Sequence, residues 1–358
     1  MRGSASASMF DTFATDLGPK GAKMLRTPLC SLLDIELPII QAPIGSATSP
    51  ALAAAVSNAG GLGMLALSWH QTDEVRRMVQ ETGKLTHRPF GANLALAWAQ
   101  EARLAACLEE GVRVVSFFWG DPGPYIDRAH DAGATVLHTV GDAAEARRAV
   151  DAGVDVIVAQ GWEAGGHVWG EVATFPLIPA VVDAVAPKPV VAAGGIGDGR
   201  GVAAALALGA GGVWVGTRFL ASEEAAVDAI YKDLVVESRE TDTLYSRLFD
   251  VGWPDAPHRT LRNSTVELWE AAGRPGPGSR PGEGETVATF ADGRPAVRYS
   301  DVIPLAGMTG DLEALALYAG QSVGLVGEIQ PASEIVDSLM NEASTALTRL
   351  NELSLGNH

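Results

Sequence analysis

The chain has 358 residues, of which 47% are hydrophobic and 6% aromatic, and its formal net charge is −17. This length suits one large α/β domain with a smaller one beside it. A charge this negative repels phosphate backbones and anionic lipid, and no apolar run approaches the ~18 residues that span a bilayer, so we expect neither nucleic acid nor a membrane as partner.

The first residues, 1–23, lack the apolar core of a signal peptide. We interpret them as a leader or disordered tail, and we therefore expect a cytoplasmic protein. From 24 to 222, short apolar runs alternate with Ala-rich amphipathic stretches, a pattern that predicts strands and helices in turn. The predicted strands are 38–43, 62–67, 90–96, 112–119, 135–140, 154–160, 189–194 and 212–217. The predicted helices are 50–59, 71–82, 98–109, 122–132, 142–152, 177–186 and 198–209, with another from about 222.

Each strand–helix unit spans about 20 to 35 residues, the length of a right-handed crossover between parallel strands. Eight such units close a (β/α)8 TIM barrel, an α/β fold, and we assign the barrel to 24–222. An open doubly wound sheet is the alternative, but the pattern shows no point where the strand order must reverse. Asp142 reads as a helix start, and the glycines of "DAGA" (131–134) and "DAGV" (151–154) as left-handed helix ends.

After residue 222 the rhythm stops. Residues 231–270 are predicted to be mainly polar helix, and the Pro- and Gly-rich stretch 273–285 must be loop. Two further helices are predicted over 312–326 and 332–353. We interpret 223–305 as a smaller, partly helical lid domain, and 306–358 as C-terminal helices that pack back on the barrel.

Chemistry is expected at the carboxyl ends of the strands, where barrels place their active sites. His167 follows a buried strand in "AQGWEAGGHVWG" (159–170), directly after Gly165 and Gly166. Glycines let a ligand approach the backbone, and an imidazole with a pKa of about 6.5 suits a general base that must be neutral. We therefore expect His167 to be the catalytic residue, with a solvated loop histidine as the alternative.

The other histidines suit this role less well. His138 falls within a predicted strand, and His70, His87, His130 and His258 fall in polar helix or loop contexts. No two histidines have metal-ligand spacing on one helix face, so we expect no metal. Cys30 and Cys107 form no ligand cluster and are expected to be reduced thiols.

Glycines after the last two barrel strands predict a phosphate site. Gly194 and Gly195 lie in "AAGGIGDGRG" (192–201), and Gly216 and Thr217 follow the eighth strand. Many barrels bind phosphate here with bare amides and a helix N-terminus. The alternative is that these glycines only turn the chain. "GRGVAA" (199–204) fits a dinucleotide fingerprint only loosely, because no acidic residue follows at the right distance.

Four segments, 38–65, 159–170, 190–199 and 214–219, together resemble the nitronate monooxygenase family, formerly called 2-nitropropane dioxygenases. The resemblance implies an FMN-containing barrel with a lid, which oxidises alkyl nitronates or nitroalkanes with O2 to a carbonyl compound and nitrite. It implies that His167 is the catalytic base. The cofactor-binding positions that it implies are Ala42, Pro43, Ile44, Asn93, Gln160, Gly165, Gly166, Gly194, Gly195, Val215, Gly216 and Thr217. Ile44 departs from the methionine that many members have at this position.

Other interpretations remain open. This chain also resembles the FMN-dependent enoyl-acyl-carrier-protein reductases and some NADH:quinone reductases, which share the barrel and the motif. Such an enzyme would use NAD(P)H as its reductant. The reductases tend to read "AEG" where this chain has Ala159-Gln160-Gly161, which favours the monooxygenase. A third interpretation is a sugar-phosphate isomerase or lyase without flavin, but such an enzyme would give Asn93 no role. Trp162 and Trp169 either narrow the pocket or pack against the lid, and the sequence leaves monomer and homodimer open.

Overall fold

Eight parallel strands form the (β/α)8 barrel that the sequence predicts. The structure, a computed structural model, describes residues 15–17 and 23–354, so the predicted leader 1–23 lies outside the described residues except for 15–17 and 23. The barrel strands are β1 Ile39–Gln41, β2 Gly63–Ala66, β3 Phe90–Ala95, β4 Val114–Phe118, β5 Thr135–Val140, β6 Val156–Gln160, β7 Val190–Ala193 and β8 Gly212–Val215. Neighbouring strands pair in parallel around the ring, with β1 beside β8. Backbone bonds from Gln41 N to Leu62 O and from Leu62 N to Ile39 O, both 2.9 Å, close the ring next to β2.

Helices follow the strands close to their predicted positions. Those on the outside of the barrel are Pro50–Asn58, Thr72–Leu85, Glu101–Glu109, Gly123–Asp131, Ala143–Asp151, Thr174–Val185 and Gly199–Ala207. Short helices Thr217–Leu220 and Ala229–Glu237 follow β8, and Pro28–Leu33 precedes β1. Among the described residues, no helix is long and apolar enough to cross a membrane.

The barrel is packed on both faces of its sheet. Inside the ring, buried side chains from successive strands meet in one cluster, which includes Ile40, Met64, Val114, Leu137, Val156 and Val191. A second apolar layer lies between the strands and the outer helices. Because both faces are covered, the strands are continuously apolar, and this is why they stand out in the sequence.

The region 231–270 is not the mainly helical segment that the sequence predicts. Helix is confined to Ala229–Glu237 and Ser264–Ala271. Between them, Thr243–Ser246 pairs antiparallel with His258–Leu261, which in turn pairs with the short strand Gly166–His167. The prediction was wrong because a strand paired to a distant segment leaves no local periodicity to read.

The prediction of helix over 312–326 was also wrong. This segment contains only the 3-10 turns Leu312–Ala314 and Gln321–Leu325, and the apolar residues between them are buried in extended backbone. A short, wholly apolar run does not distinguish helix from buried extended chain. The stretch 273–285 has no helix or strand, as predicted, and all of it is described. The neighbouring strands Thr286–Thr289, Pro295–Val297 and Thr309–Gly310 form a second small sheet.

The helix Ala332–Ser354 packs against the helices Gly199–Ala207 and Pro50–Asn58, and so fills the outer layer beside β8. Gly199 makes this close approach possible, because an added Cβ would lie 2.5 Å from the backbone oxygen of Leu339. Glu342 Oε2 accepts a hydrogen bond from Gly199 N at 2.8 Å. At this point the C-terminal helix therefore lies directly against the bare backbone of Gly199.

We expect Gly199→Ala to destabilise the protein by about 1–3 kcal/mol, because the overlapping atoms belong to backbone that cannot rotate away. Gly83→Ala is the matched control. Gly83 lies in the helix Thr72–Leu85 with open space around its Cβ position, so alanine there should stabilise by roughly 0.5–1 kcal/mol. Urea unfolding of both variants checks this, and equal midpoints would contradict the close packing at Gly199.

Candidate active site

A cavity of about 570 Å³ opens at the carboxyl ends of the barrel strands. Barrel loops form most of its wall, and the region after residue 250 supplies the rest through residues such as Trp253 and Asp301. The predicted site residues that line it are Ala42, Pro43, Ile44, Asn93, Gln160, Gly165, Gly166, His167, Gly194, Gly195, Gly216 and Thr217. Val215 is the exception, because its buried side chain faces the outer helices and only its backbone oxygen reaches Ala42 N, at 2.8 Å.

His167 lies on the short strand that pairs with His258–Leu261, and aromatic rings enclose it. Its ring stacks on Trp253 with centroids 4.1 Å apart, and the ring of Tyr318 lies at 5.4 Å. Its Nε2 is buried and has no hydrogen-bond partner among the described residues. Burial, with a smaller contribution from His258, lowers the pKa of His167 to about 3. The imidazole is therefore neutral at physiological pH and keeps one nitrogen available.

His258 was predicted to lie in a polar helix or loop, and this was wrong. It is fully buried, with its ring centroid 5.7 Å from that of His167. Its Nδ1 lies 2.9 Å from Ala256 O, and its Nε2 accepts from Phe249 N at 3.2 Å. Because a carbonyl can only accept, the proton must lie on Nδ1, and burial lowers the pKa of His258 to about 4. Both nitrogens are engaged, so His258 supports the fold around His167 and leaves no nitrogen for a ligand.

The side chain of Gln160 holds the loop that carries His167. Its Nε2 donates to His167 O at 3.0 Å, and its Oε1 accepts from Trp169 N at 3.0 Å. Asn93, in contrast, uses its Nδ2 on Ser116 O and Oγ at 3.3 and 3.1 Å. Gln160 lines the cavity and at the same time fixes the backbone on both sides of Val168.

The two glycines before His167 have different surroundings. A Cβ on Gly165 would lie 2.5 Å from the backbone carbon of Ala319, so the chain's own packing requires glycine there. Gly166 has a φ of +72°, and its Cβ position is open space. The sequence suggested space for a ligand beside Gly165 and Gly166, and the structure shows such space only beside Gly166.

The predicted phosphate end of the cavity is built from uncharged groups. Gly194 and Gly195 both have positive φ, and a Cβ on Gly194 would lie 2.9 Å from the oxygen of Gly161. Thr217 Oγ1 accepts from Gly320 N at 3.0 Å and keeps its own proton to donate. Neither lysine nor arginine is among the cavity-lining residues that the structure describes. An anion bound here would therefore rely on N–H and O–H donors.

The two flanking tryptophans lie outside the cavity wall. Trp162 packs under the guanidinium of Arg259, whose central carbon lies 4.3 Å from the centre of the tryptophan ring. Trp169 donates from Nε1 to Glu145 Oε1 at 2.7 Å and stacks edge-on with Trp119 at 4.8 Å.

Three lining residues, Trp253, Asp301 and Tyr318, were missed by the sequence analysis. They come from segments that carry no recognised motif, apart from "YAGQSVG" (318–324), which could have indicated Tyr318. Within 15–17 and 23–354, no three His, Cys, Asp or Glu side chains group as metal ligands. Cys30 and Cys107 are buried free thiols.

Comparisons with known proteins agree on the family. A family model described as nitronate monooxygenase matches residues 26–104 and 95–342. A Mycobacterium tuberculosis protein named (3aS,4S,5R,7aS)-5-hydroxy-7a-methyl-1-oxo-octahydro-1H-indene-4-carboxyl-CoA dehydrogenase is 34% identical, over 92% of this chain and 99% of its own length. The structure of FabK from Thermotoga maritima superposes with a TM-score of 0.80 at 35% identity, over 92% of this chain and all of that one. The structure of nitroalkane oxidase from Streptomyces ansochromogenes gives 0.74 at 31% identity, over 90% and 99%.

We expect the ring of His167 to stay neutral from pH 8 to about pH 5 in the protein without ligand, because burial disfavours the imidazolium. Nitrogen-15 NMR of labelled histidine side chains measures this, with the signal assigned by its absence in His167→Asn. The urea-unfolded chain, whose histidines titrate near the ordinary value of about 6.5, is the control. The lowered pKa also implies that His167 costs stability as pH falls from about 6.5 toward 3. A midpoint near 6.5 in the folded protein would contradict the burial of this ring.

Proposed function

Because the chain belongs to the nitronate monooxygenase family, an oxidoreductase family, we propose that it is an FMN-dependent enzyme that oxidises alkyl nitronates with O2 to a carbonyl compound and nitrite. The observation that carries the proposal is His167, a buried neutral imidazole that lines a largely apolar cavity. A neutral nitroalkane suits such a cavity because it is uncharged until it loses its α-proton, and the nitronate anion would be held by the N–H and O–H donors of the wall.

The cavity wall fits a flavin. The open space beside Gly166 and the bare backbone at Gly216 leave room for a flat ligand along the segment Ala42-Pro43-Ile44. The residues that would hold FMN are those of the predicted cofactor set except Val215, with Gln160 also fixing the His167 loop. The N–H groups near Gly194 and Gly195 and the hydroxyl of Thr217 would meet the phosphate. When bound, FMN would accept the substrate's electrons and pass them to O2.

The protein's own part is to move and hold one proton. With a neutral nitroalkane, the unprotonated ring nitrogen of His167 takes the proton from the α-carbon, and the ring becomes an imidazolium beside the new nitronate. Burial alone disfavours the imidazolium, but an adjacent anion raises the pKa of the ring again, so the charges form together as a pair. With a preformed nitronate no proton need be removed. Trp253 and the Gln160 hydrogen bonds keep the ring in place during this transfer.

A second candidate is an FMN-dependent NAD(P)H-using reductase of the enoyl-acyl-carrier-protein or quinone reductase type. Two of the comparisons support it, because this chain is 34% identical to the M. tuberculosis carboxyl-CoA dehydrogenase and 35% identical to T. maritima FabK, over 92% of this chain in each case. In that case His167 would supply a proton instead of removing one. The exposed rings of Trp69 and Trp98 at the cavity mouth would offer an apolar surface to a longer acyl chain.

We expect His167→Asn to retain fold and flavin but lose activity on neutral nitroalkane by a factor on the order of 10² to 10⁴, the usual worth of a positioned base. Activity on the preformed nitronate should fall much less, because that proton is already gone. Steady-state rates on both forms of one substrate separate the two effects. Equal losses on both forms would remove the role of base from His167.

We expect Gly216→Val to lower FMN occupancy sharply, because the added methyl groups enter the cavity where the phosphate is proposed to bind. Gly216→Ala is the control, since an added Cβ there meets Ile44 and Ala42 at ordinary contact distances of 3.4 and 3.5 Å. Flavin content per protein after purification is the measurement. Full occupancy in Gly216→Val would place the phosphate elsewhere.

A further inference from the structure

Asp301 faces the cavity from the region after the barrel, and the proposed chemistry gives it no role. Its backbone N donates to Val251 O at 3.0 Å, next to the bridge that pairs Val251 with Ser300. Its carboxylate lies against the bare backbone of Gly252, where an added Cβ would be 2.7 Å from Oδ2. Gly252 has a φ of +119°, so glycine at this position both permits the turn and leaves the carboxylate its place.

This carboxylate lacks the partners that such a group ordinarily has. Among the described residues, no other residue donates a hydrogen bond to it, and no lysine or arginine pairs with it or lines the cavity. Burial raises the pKa of Asp301 to about 6, so the group is mainly ionised at neutral pH. A half-buried carboxylate is unfavourable unless something donates to it, and the cavity is the direction from which a donor can come.

Asp301 and His167 share one wall of the cavity. Gly252, which Asp301 contacts, directly precedes Trp253, which stacks on the ring of His167. Tyr318 lies against His167 on the same wall, and its buried hydroxyl has no partner among the described residues. A ligand that reaches both groups would present an acidic carbon to His167 and a hydrogen-bond donor to Asp301.

We propose that Asp301 is a specificity-determining residue, which accepts a hydrogen bond from an ammonium or hydroxyl group carried by the substrate away from its acidic carbon. This proposal rests on the proposed function, which makes the substrate a carbon acid. The preference for a ligand that carries a hydrogen-bond donor depends only on Asp301 and the cavity.

The test is direct binding to the flavin-loaded protein at pH 8, measured by calorimetry. The ligands are a straight-chain primary amine, alcohol and carboxylate of equal length, so that only the end group differs. We expect the amine, the alcohol or both to bind about tenfold or more tightly than the carboxylate, because a hydrogen bond to a charged acceptor is among the stronger ones. Tighter binding of the amine alone would identify an ammonium as the donor, and tight binding of the alcohol a hydroxyl.

Two variants assign the preference to Asp301. Asp301→Leu removes the acceptor and should abolish the preference, whereas Asp301→Asn keeps shape and an acceptor oxygen and should weaken amine binding more than alcohol binding. Asp255→Asn, which alters an exposed acid of the same region, controls for net charge and should bind like the unaltered protein. Flavin absorbance and circular dichroism check that each variant is loaded and folded, and Asp301→Asn suffices if the leucine variant does not fold.

The proposal is overturned if the unaltered protein shows no preference, if Asp301→Leu keeps the preference, or if Asp301→Asn leaves the binding of amine and alcohol unchanged. Turnover of a nitroalkane with and without a terminal hydroxyl forms a separate arm. If no nitroalkane is oxidised but the binding preference depends on Asp301, the proposed function fails and the specificity role stands. If nitroalkanes are oxidised and the binding preference is absent, the proposed function stands and the specificity role of Asp301 fails.

Discussion

The site depends on one strand pairing, that of Gly166–His167 with His258–Leu261. It joins the loop after β6 to the region beyond the barrel in a single antiparallel sheet. The pairing brings Trp253 onto the ring of His167 and places Arg259 over Trp162. Burial under these groups is the main cause of the low pKa of His167. Residues beyond the barrel thus bury a histidine that belongs to the barrel and keep it neutral.

The charge pattern of the cavity follows from the same arrangement. The barrel contributes glycines, amides and a neutral imidazole to the cavity wall, and the chain beyond the barrel contributes one carboxylate, Asp301. In such surroundings an anion must be held by N–H and O–H groups, or by an imidazolium formed at the moment of reaction. A reaction that creates a negative charge next to His167 therefore fits the cavity better than a reaction that needs a lysine or arginine side chain to hold an anion from the start.

The barrel and its glycines could be predicted from the sequence because their causes are local. Buried parallel strands are apolar throughout, and helix ends need particular residues. Asp142 caps its helix by accepting from Ala144 N and Glu145 N, and Gly133 and Gly153 have the positive φ expected of them. The cavity-lining residues that the barrel loops contribute were also predicted, from the strand ends and from the family resemblance.

The missed features have causes that are distant in the chain. The strand His258–Leu261 exists because Gly166–His167 lies beside it, and no periodicity of 231–270 reports such a partner. The open cavity wall at Gly166 and the filled one at Gly165 differ only through the backbone of residues 319–320. Asp301 belongs to no motif, and only its position against Gly252 identifies it.

The proposed function requires that His167 serve a flavin that takes electrons from a nitronate. The most direct measurement is the absorbance of the bound flavin under anaerobic conditions, followed after adding either an alkyl nitronate or NADH. We expect rapid bleaching by the nitronate and no comparable change with NADH. Rapid bleaching by NADH, with the nitronate inert, would contradict the proposed function and assign the chain to the reductases.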